Sequence, residues 1–197
     1  MSGGAGDAVS DDDDADRLRR RVLWALPTGL FVVGSRAGDR RNLMTANWVL
    51  QIATSPRLVA VAVESGSVTR QLIEEGGAFS VSLLARSERG LVRRFVKPVR
   101  DVETDADGAA VSMHGEPVVE PADGPPHLAV AVAWLSCAVR SITAWDPPTG
   151  DGAGGAPASH VLVVGEVIGA GESERLGAPG DDDAVLTMAD TRMNYGG

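Results

Sequence analysis

Short apolar runs rich in valine, each ended by glycine, proline or a polar turn, are the feature of this 197-residue chain that most limits its fold. Clear examples are residues 29–35 (GLFVVGS), 58–63 (LVAVAV), 78–84 (AFSVSLL) and 160–171 (HVLVVGEVIGAG). Runs of this length and composition predict β-strands. None approaches the roughly 20 apolar residues that a membrane-spanning helix needs, so we predict no membrane segment.

Only short helical patterns lie between these runs. Apolar residues recur at helical spacing over residues 18–26, and this first helical pattern stops at Pro27. Ser67 is a candidate N-cap of a second helix, which ends at Gly76 and Gly77. Residues 86–96 form a third helical pattern. Residues 42–54 read as one return strand. Six or seven strands with so few helices exclude a doubly wound sheet and a helix bundle. The sequence therefore predicts a mainly β protein, a closed or split antiparallel β-barrel with short capping helices.

The charge of the chain is divided unevenly along its length. Residues 1–16, which consist mostly of Gly, Ala and Asp, carry −6 and show no apolar periodicity, so we predict a disordered acidic tail there and one domain over 17–197. Residues 17–100 carry +10 and residues 101–197 carry −13, which leaves a net charge of −9. Because exposed charges more than about 10 Å apart are largely screened, the basic half can still bind an anionic small molecule.

Several classes of site are excluded by composition. A single cysteine, Cys137, allows neither an internal disulfide nor a multi-cysteine metal centre, and three scattered histidines make a metal site unexpected. The acidic start lacks the features of a secretory signal, which predicts a cytoplasmic location. Glycines at 150, 152 and 155 have dinucleotide-motif spacing but lie between prolines, so they predict a loop over 146–159. Arginine-rich stretches with few aromatic residues give no reason to expect a nucleic-acid partner.

Four segments taken in order carry a family resemblance. They are residues 27–36 (PTGLFVVGSR), 42–84 (from NLMTANW to AFSVSLL), 131–139 (AVAWLSCAV) and 159–167 (SHVLVVGEV). Together they resemble the flavin reductase-like family of FMN-binding split barrels. The resemblance implies a homodimer that binds FMN, with FAD as a second option, and in which NADH or NADPH reduces the flavin. It further implies that the reduced flavin passes to a partner monooxygenase or another acceptor.

A phosphate site is expected where Ser65, Ser67 and Thr69 lead into a helix, because the free amides and the dipole of a helix N-terminus favour an anion. Ordinary helix capping is the alternative reading of these residues. Arg57 or Arg70 can add charge. The resemblance adds a basic residue near Lys97, the only lysine of the chain.

The resemblance places the isoalloxazine ring along Thr45, Ala46, Asn47 and Trp48, with Asn42 near the ring or the ribityl chain. Since strand residues alternate, Thr45 and Asn47 face one way and the other two face the opposite way, so some contacts must use the backbone. Trp48 stands where many relatives carry a smaller residue, and barrel or dimer packing is its alternative role.

A histidine at the position of His160 lies beside the flavin in the resembling family, where the nicotinamide approaches, which makes His160 the candidate catalytic residue. An ordinary surface histidine is the alternative.

Two other functions also stay open at this point. One is an FMN-binding electron carrier or sensor without turnover of free flavin, and the other is a split barrel recruited to a different biosynthetic reaction.

Overall fold

The computed structural model describes residues 7–145, 158–176 and 185–191. Most of the loop predicted over 146–159 thus lies outside the described residues. Two α-helices are present in the described part, α1 (Asp7–Trp24) and α2 (Val68–Gly76). Its strands are β1 (Phe31–Ala37), β2 (Arg40–Ala46), β3 (Val49–Thr54), β4 (Arg57–Glu64), β5 (Ala78–Leu83), β6 (Val102–Thr104), β7 (Ala110–Met113), β8 (Glu116–Val119), β9 (His127–Leu128), β10 (Ala133–Ala144) and β11 (His160–Glu172). Short 3₁₀ turns cover Arg86–Glu88, Leu91–Phe95 and Met188–Asp190.

Seven strands form one antiparallel sheet in the order β2-β1-β5-β10-β11-β4-β3. This confirms the prediction of a mainly β, antiparallel fold with few helices. The two edge strands, β2 and β3, follow each other in the chain and are separated by only Asn47 and Trp48. A two-residue connection spans at most about 10 Å, so the sheet must curl until its opposite edges approach each other at this link.

The single strand predicted over residues 42–54 is wrong, because the chain changes partner in its middle. β2 pairs with β1, with Phe31 opposite Ala46, whereas β3 pairs with β4, with Val49 opposite Val61. The apolar pattern continues across the link, and such a pattern carries no information about which neighbour a strand pairs with.

The first helix begins earlier than the sequence suggested. α1 starts at Asp7 and so includes most of the segment over 1–16 for which we predicted disorder, while residues 1–6 lie outside the described part. Its acidic first half and basic second half match the two ends of the helix dipole. Asp16 also pairs with Arg20 at 2.6 Å, one turn apart, which supports a helix on its own surface.

The core has two parts on opposite faces of the sheet. The inner part joins α2, through Ile73, to the buried faces of six strands and includes Phe79 and Val163. The outer part lies under the 3₁₀ turns and the small sheet, and it includes Val92 and Leu186. Leu186 is held by hydrogen bonds from its N–H to the Leu84 carbonyl (2.8 Å) and from the Leu30 N–H to its own carbonyl (3.2 Å).

Strands β6 to β9 form a second, four-stranded sheet, which the sequence patterns did not predict. These strands are two to four residues long and partly exposed, so they lack the apolar alternation that identifies a strand. A buried ion pair fastens them to β2. The Glu120 carboxylate accepts two hydrogen bonds from Arg41 Nε (2.7 and 2.8 Å) and one from the Ala110 N–H (2.6 Å).

Among the described residues, neither helix has the length and apolar composition that crossing a membrane would require.

Candidate functional site

The turn before α2 has the geometry of an anion-binding helix start. The prediction that Ser67 caps this helix is confirmed, since its Oγ accepts a hydrogen bond from the Arg70 N–H at 3.1 Å. The helix ends at Gly77 in the left-handed conformation (φ 69°), also as predicted. Val68 and Thr69 precede the first intrahelical bond, so their N–H groups point out of the helix end. These amides and the dipole of α2 favour a phosphate.

Like Ser67, the other two residues predicted to supply hydroxyl groups at this turn have structural partners. Ser65 Oγ donates to the Ala158 carbonyl (2.8 Å), and the Ser65 N–H donates to the Ser159 carbonyl (2.9 Å), which fixes the start of β11 beside the turn. Thr69 is buried, and its Oγ1 accepts a hydrogen bond from within the protein. Binding of an anion would therefore depend mainly on the backbone amides rather than on these two hydroxyl groups.

Asn42 joins the helix start to the segment that carries Lys97. Its Nδ2 donates to Thr69 Oγ1 and its Oδ1 accepts from the Val99 N–H, both at 2.8 Å, and the side chain is buried. The Asn42 amide thus has internal partners on both sides, and its position near the ring stays a prediction. Lys97 is exposed and lies two residues, or at most about 7 Å, before Val99. Its ammonium group has no ion-pair partner among the described residues.

Arg57 and Arg70, the two arginines that could add positive charge at the phosphate site, are in less suitable positions than Lys97. Arg70 forms an ion pair with Glu74 at 2.9 Å on the surface of α2. Arg57 begins β4, whereas the helix start follows the last residue of that strand, Glu64. At about 3.3 Å per residue, seven steps along the strand separate Arg57 from the turn by roughly 23 Å.

The end of β2 and the link between the two sheet edges contain the residues predicted to line the ring. Thr45 is buried and its Oγ1 donates to the Val92 carbonyl (2.6 Å), while Ala46 faces the inner core, so these two side chains alternate as predicted. Asn47 is 5% exposed, and no described residue gives its side chain a hydrogen bond. Its amide is therefore available to form hydrogen bonds with polar atoms of a ligand.

Trp48 and His160 contact each other, which the sequence analysis did not foresee. Their ring centroids lie 5.0 Å apart with an interplanar angle of 74°, an edge-to-face arrangement. The Trp48 carbonyl accepts a hydrogen bond from the Ala62 N–H (3.0 Å), and His160 is opposite Glu64 in the ladder between β11 and β4. Only the pairing of these distant strands brings the two rings together, so no local sequence signal could have revealed the contact.

Other groups of possible interest lie away from this site. Cys137 is fully buried in the inner core, and burial raises the pKa of its thiol to about 12, so it packs there as a small apolar residue. Burial also lowers the pKa of His127, which stacks on Trp134. A cavity of about 180 Å³ beside Gly76, at the far end of α2, is smaller than typical cofactor pockets of roughly 300–1,000 Å³.

Comparison with known proteins identifies the family of this chain. The family described as "Flavin reductase like domain" matches residues 23–196. An NADH-dependent FAD reductase from Streptomyces globisporus is 31% identical over 157 residues, which cover 79% of this chain and 76% of that protein.

Two solved structures are similar to this fold. One is the Streptomyces globisporus NADH:FAD oxidoreductase in complex with NAD and FAD fragments, with 28% identity, a TM-score of 0.60 and coverage of 82% of this chain and 84% of that one. The other is the flavin reductase component of a bacterial two-component tryptophan halogenase, with 26% identity, a TM-score of 0.59 and coverage of 82% and 89%. The resemblance seen in the sequence is confirmed, and the chain belongs to the flavin reductase-like family.

Proposed function

We propose that this protein is an NAD(P)H-dependent flavin reductase that supplies reduced FMN, or FAD, to a partner monooxygenase or another acceptor. The observation that carries the proposal is the arrangement of groups around the link between β2 and β3. A helix start suited to phosphate is tied through Asn42 to the segment of Lys97. Asn47, whose amide has no partner among the described residues, precedes the pair formed by Trp48 and His160. Two relatives are an NADH-dependent FAD reductase and an NADH-dependent FMN reductase.

The residues present fit a flavin nucleotide. The amides of Val68 and Thr69, with Lys97, would hold the phosphate, and Asn47 would bind polar atoms of the ring edge. A bound flavin supplies the acceptor for a hydride from the nicotinamide. Trp48 would exclude water from the side of the site that it covers, and His160 would orient the nicotinamide, because hydride transfer depends on holding the donor carbon close rather than on an acid or base at that carbon.

We also propose that the sheet is the split barrel of the family and that two copies associate. The support for association is exposed apolar surface on the outer face of β3 and β11, where Leu50 is 67% and Ile168 63% exposed, with Trp48 on the same side of the link. The apolar residues Leu18 and Val22 of α1 are also about half exposed. Large apolar side chains exposed to this extent are typical of an interface.

Light scattering of the purified protein tests the association, with a dimer as the expected result. Leu50→Glu should give a monomer, because it places a charge in the proposed interface. Val111→Glu is the matched control, since Val111 is 44% exposed on the small sheet, away from that surface. Monomeric wild-type protein, or equal behaviour of the two variants, would count against this interface.

Steady-state oxidation of NADH and of NADPH with FMN, FAD or riboflavin tests the reductase activity. We expect turnover that requires added flavin with at least one nucleotide. Lys97→Gln should raise the KM for FMN by roughly tenfold and leave the KM for riboflavin, which has no phosphate, nearly unchanged. Arg57→Gln is the control, since that cation lies far from the helix start. Absence of flavin-dependent turnover would refute the proposal, and tightly bound flavin without turnover would favour an electron carrier.

A further inference from the structure

We propose that Trp48 and Ser159 are positioning residues that hold the imidazole of His160 with Nε2 directed toward the nicotinamide substrate. The inference rests on the proposed function, because it concerns how the same site binds its reductant. It adds two residues that act through His160 and a reason for each. Trp48 contacts the His160 ring edge-to-face, and Ser159 Oγ lies within hydrogen-bond distance of its Nδ1.

The backbone places Trp48 and His160 on the same face of the sheet. Val161 and Val163 of β11 point into the inner core, so His160 and Leu162 face outward. Ala62 of β4 is opposite Leu162, and its N–H binds the Trp48 carbonyl at 3.0 Å. The tryptophan is therefore fixed by backbone geometry beside the outward face of β11. Its contact with His160 follows from the sheet and does not depend on a flexible loop.

Ser159 determines which ring nitrogen is available. Its Oγ lies 2.9 Å from His160 Nδ1, and the segment before His160 is anchored by the two hydrogen bonds from Ser65 to residues 158 and 159. When the hydroxyl donates to Nδ1, the neutral ring carries its proton on Nε2. Nε2 has no partner among the described residues, so it is the nitrogen free to donate to a carbonyl such as that of the nicotinamide carboxamide.

Trp48 limits rotation of the ring. The separation of 5.0 Å lies within the range of favourable edge-to-face pairs, about 4.5–7 Å. Without the indole, the imidazole can turn over and present Nδ1 in place of Nε2. The groups that face His160 are Trp48, Ser159 and the carboxylate of Glu64, which is exposed and opposite in register on β4.

A double-mutant cycle between Trp48 and His160 tests the proposal. Trp48→Leu should lower kcat/KM for NADH by about three- to tenfold, mainly through KM, because aromatic pairs of this kind contribute a factor of that order. In a His160→Ala background the same change should cost less than about twofold, since the residue through which Trp48 acts is gone. Trp48→Phe should restore most of the lost activity. Trp24→Leu is the control, a half-exposed tryptophan at the end of α1.

Nitrogen NMR of the histidine rings gives a readout that is independent of turnover. Wild-type protein should show His160 protonated on Nε2, and Ser159→Ala, an exposed substitution that should fold normally, should give a mixture of the two ring tautomers. If Trp48→Leu does not fold, the tautomer measurement on Ser159→Ala still tests the proposal.

Two results would overturn the inference. One is an effect of Trp48→Leu that persists undiminished without His160, together with weaker flavin binding, which would mean that Trp48 contacts the flavin directly. The other is an unchanged His160 tautomer in Ser159→Ala. Failure of the proposed function itself is distinguishable, because the wild-type protein would then oxidise no NADH with any flavin, while the NMR result would still report on the ring.

Discussion

Replacement of Asn42 by alanine should weaken both the fold and the binding of phosphorylated flavin. The Asn42 amide is buried and makes two hydrogen bonds of 2.8 Å, one to Thr69 at the start of α2 and one from Val99 in the segment of Lys97. It is the direct connection between the two parts of the proposed phosphate site. Asn42→Ala removes both bonds and leaves a buried hydroxyl and a partly buried N–H without their partners.

The magnitude follows from these two bonds. Each contributes about 1 kcal/mol, and a buried group left without a partner costs about 1–3 kcal/mol, with water relieving part of that cost at the partly buried Val99. We expect Asn42→Ala to lower the free energy of unfolding by about 2–4 kcal/mol. For a chain of this length, that corresponds to a decrease in Tm of roughly 5–15 °C. Thr69→Val breaks only one of the bonds and should cost about half as much.

Urea unfolding gives the stability, and titration with FMN and with riboflavin gives the functional effect. Asn42→Ala should weaken FMN binding more than riboflavin binding, because only FMN carries the phosphate. Ser80→Ala is the matched control. Its hydroxyl is equally buried and donates to the Pro126 carbonyl at 2.6 Å, away from the phosphate site, so it should lower stability without altering the ratio of the two affinities. A change in stability below about 0.5 kcal/mol, or the same affinity ratio as in wild type, would refute the reasoning.

Three further predictions concern the core and the C-terminal segment. Burial alone raises the pKa of Asp190, but hydrogen bonds from Thr187 and the charge of Arg86 outweigh it, so the pKa is lowered. Its stabilising effect is thus present at neutral pH and is lost as the pH falls below about 4, and thermal unfolding of Asp190→Asn should differ from wild type at pH 7 and converge with it in acid. Gly165→Ala should cost about 1–3 kcal/mol in urea unfolding, because a Cβ there would lie 2.4 Å from the buried Phe79 ring, and a loss below about 0.5 kcal/mol would show that the ring can move. Cys137 should not react with a thiol reagent at pH 8 in the native state, because its pKa is raised to about 12, and should react once urea exposes it; equal rates in both states would contradict its burial.

Much of the fold follows from local patterns in the sequence. The apolar runs at residues 58–63 and 78–83 are strands, Ser67 caps α2, and Gly77 ends it, because each of these features depends on residues close together in the chain. The antiparallel arrangement follows from the short turns between strands, such as that at Gly38, whose φ of 57° suits glycine.

Features that depend on distant partners could not be predicted in this way. The chain between β2 and β3 looks continuous, yet it crosses from one edge of the sheet to the other at Asn47 and Trp48. Leu186 is an ordinary leucine in the sequence, and only its pairing with Leu30 and Leu84 shows that it completes the outer core. Both features depend on contacts between residues that are far apart in the sequence.

The same distinction between local sequence patterns and contacts of distant segments applies to the candidate site. Residue types and spacing were sufficient to select Ser67, whereas Asn47 and His160 were selected through the family resemblance. They could not show that the Asn42 amide is occupied by internal hydrogen bonds, or that Trp48 contacts His160. The roles of individual side chains are therefore set by the pairing of β2, β4 and β11 rather than by the motif in which each residue lies.

The absorption spectrum of the purified protein with one equivalent of FMN, recorded without oxygen before and after addition of NADH or NADPH, tests the central claim most directly. We predict a shift of the flavin band on binding and its bleaching after addition of at least one of the two nucleotides, with the colour returning when air is admitted. A flavin band that neither shifts with the protein nor bleaches with either nucleotide would contradict the assignment of this chain as a flavin reductase.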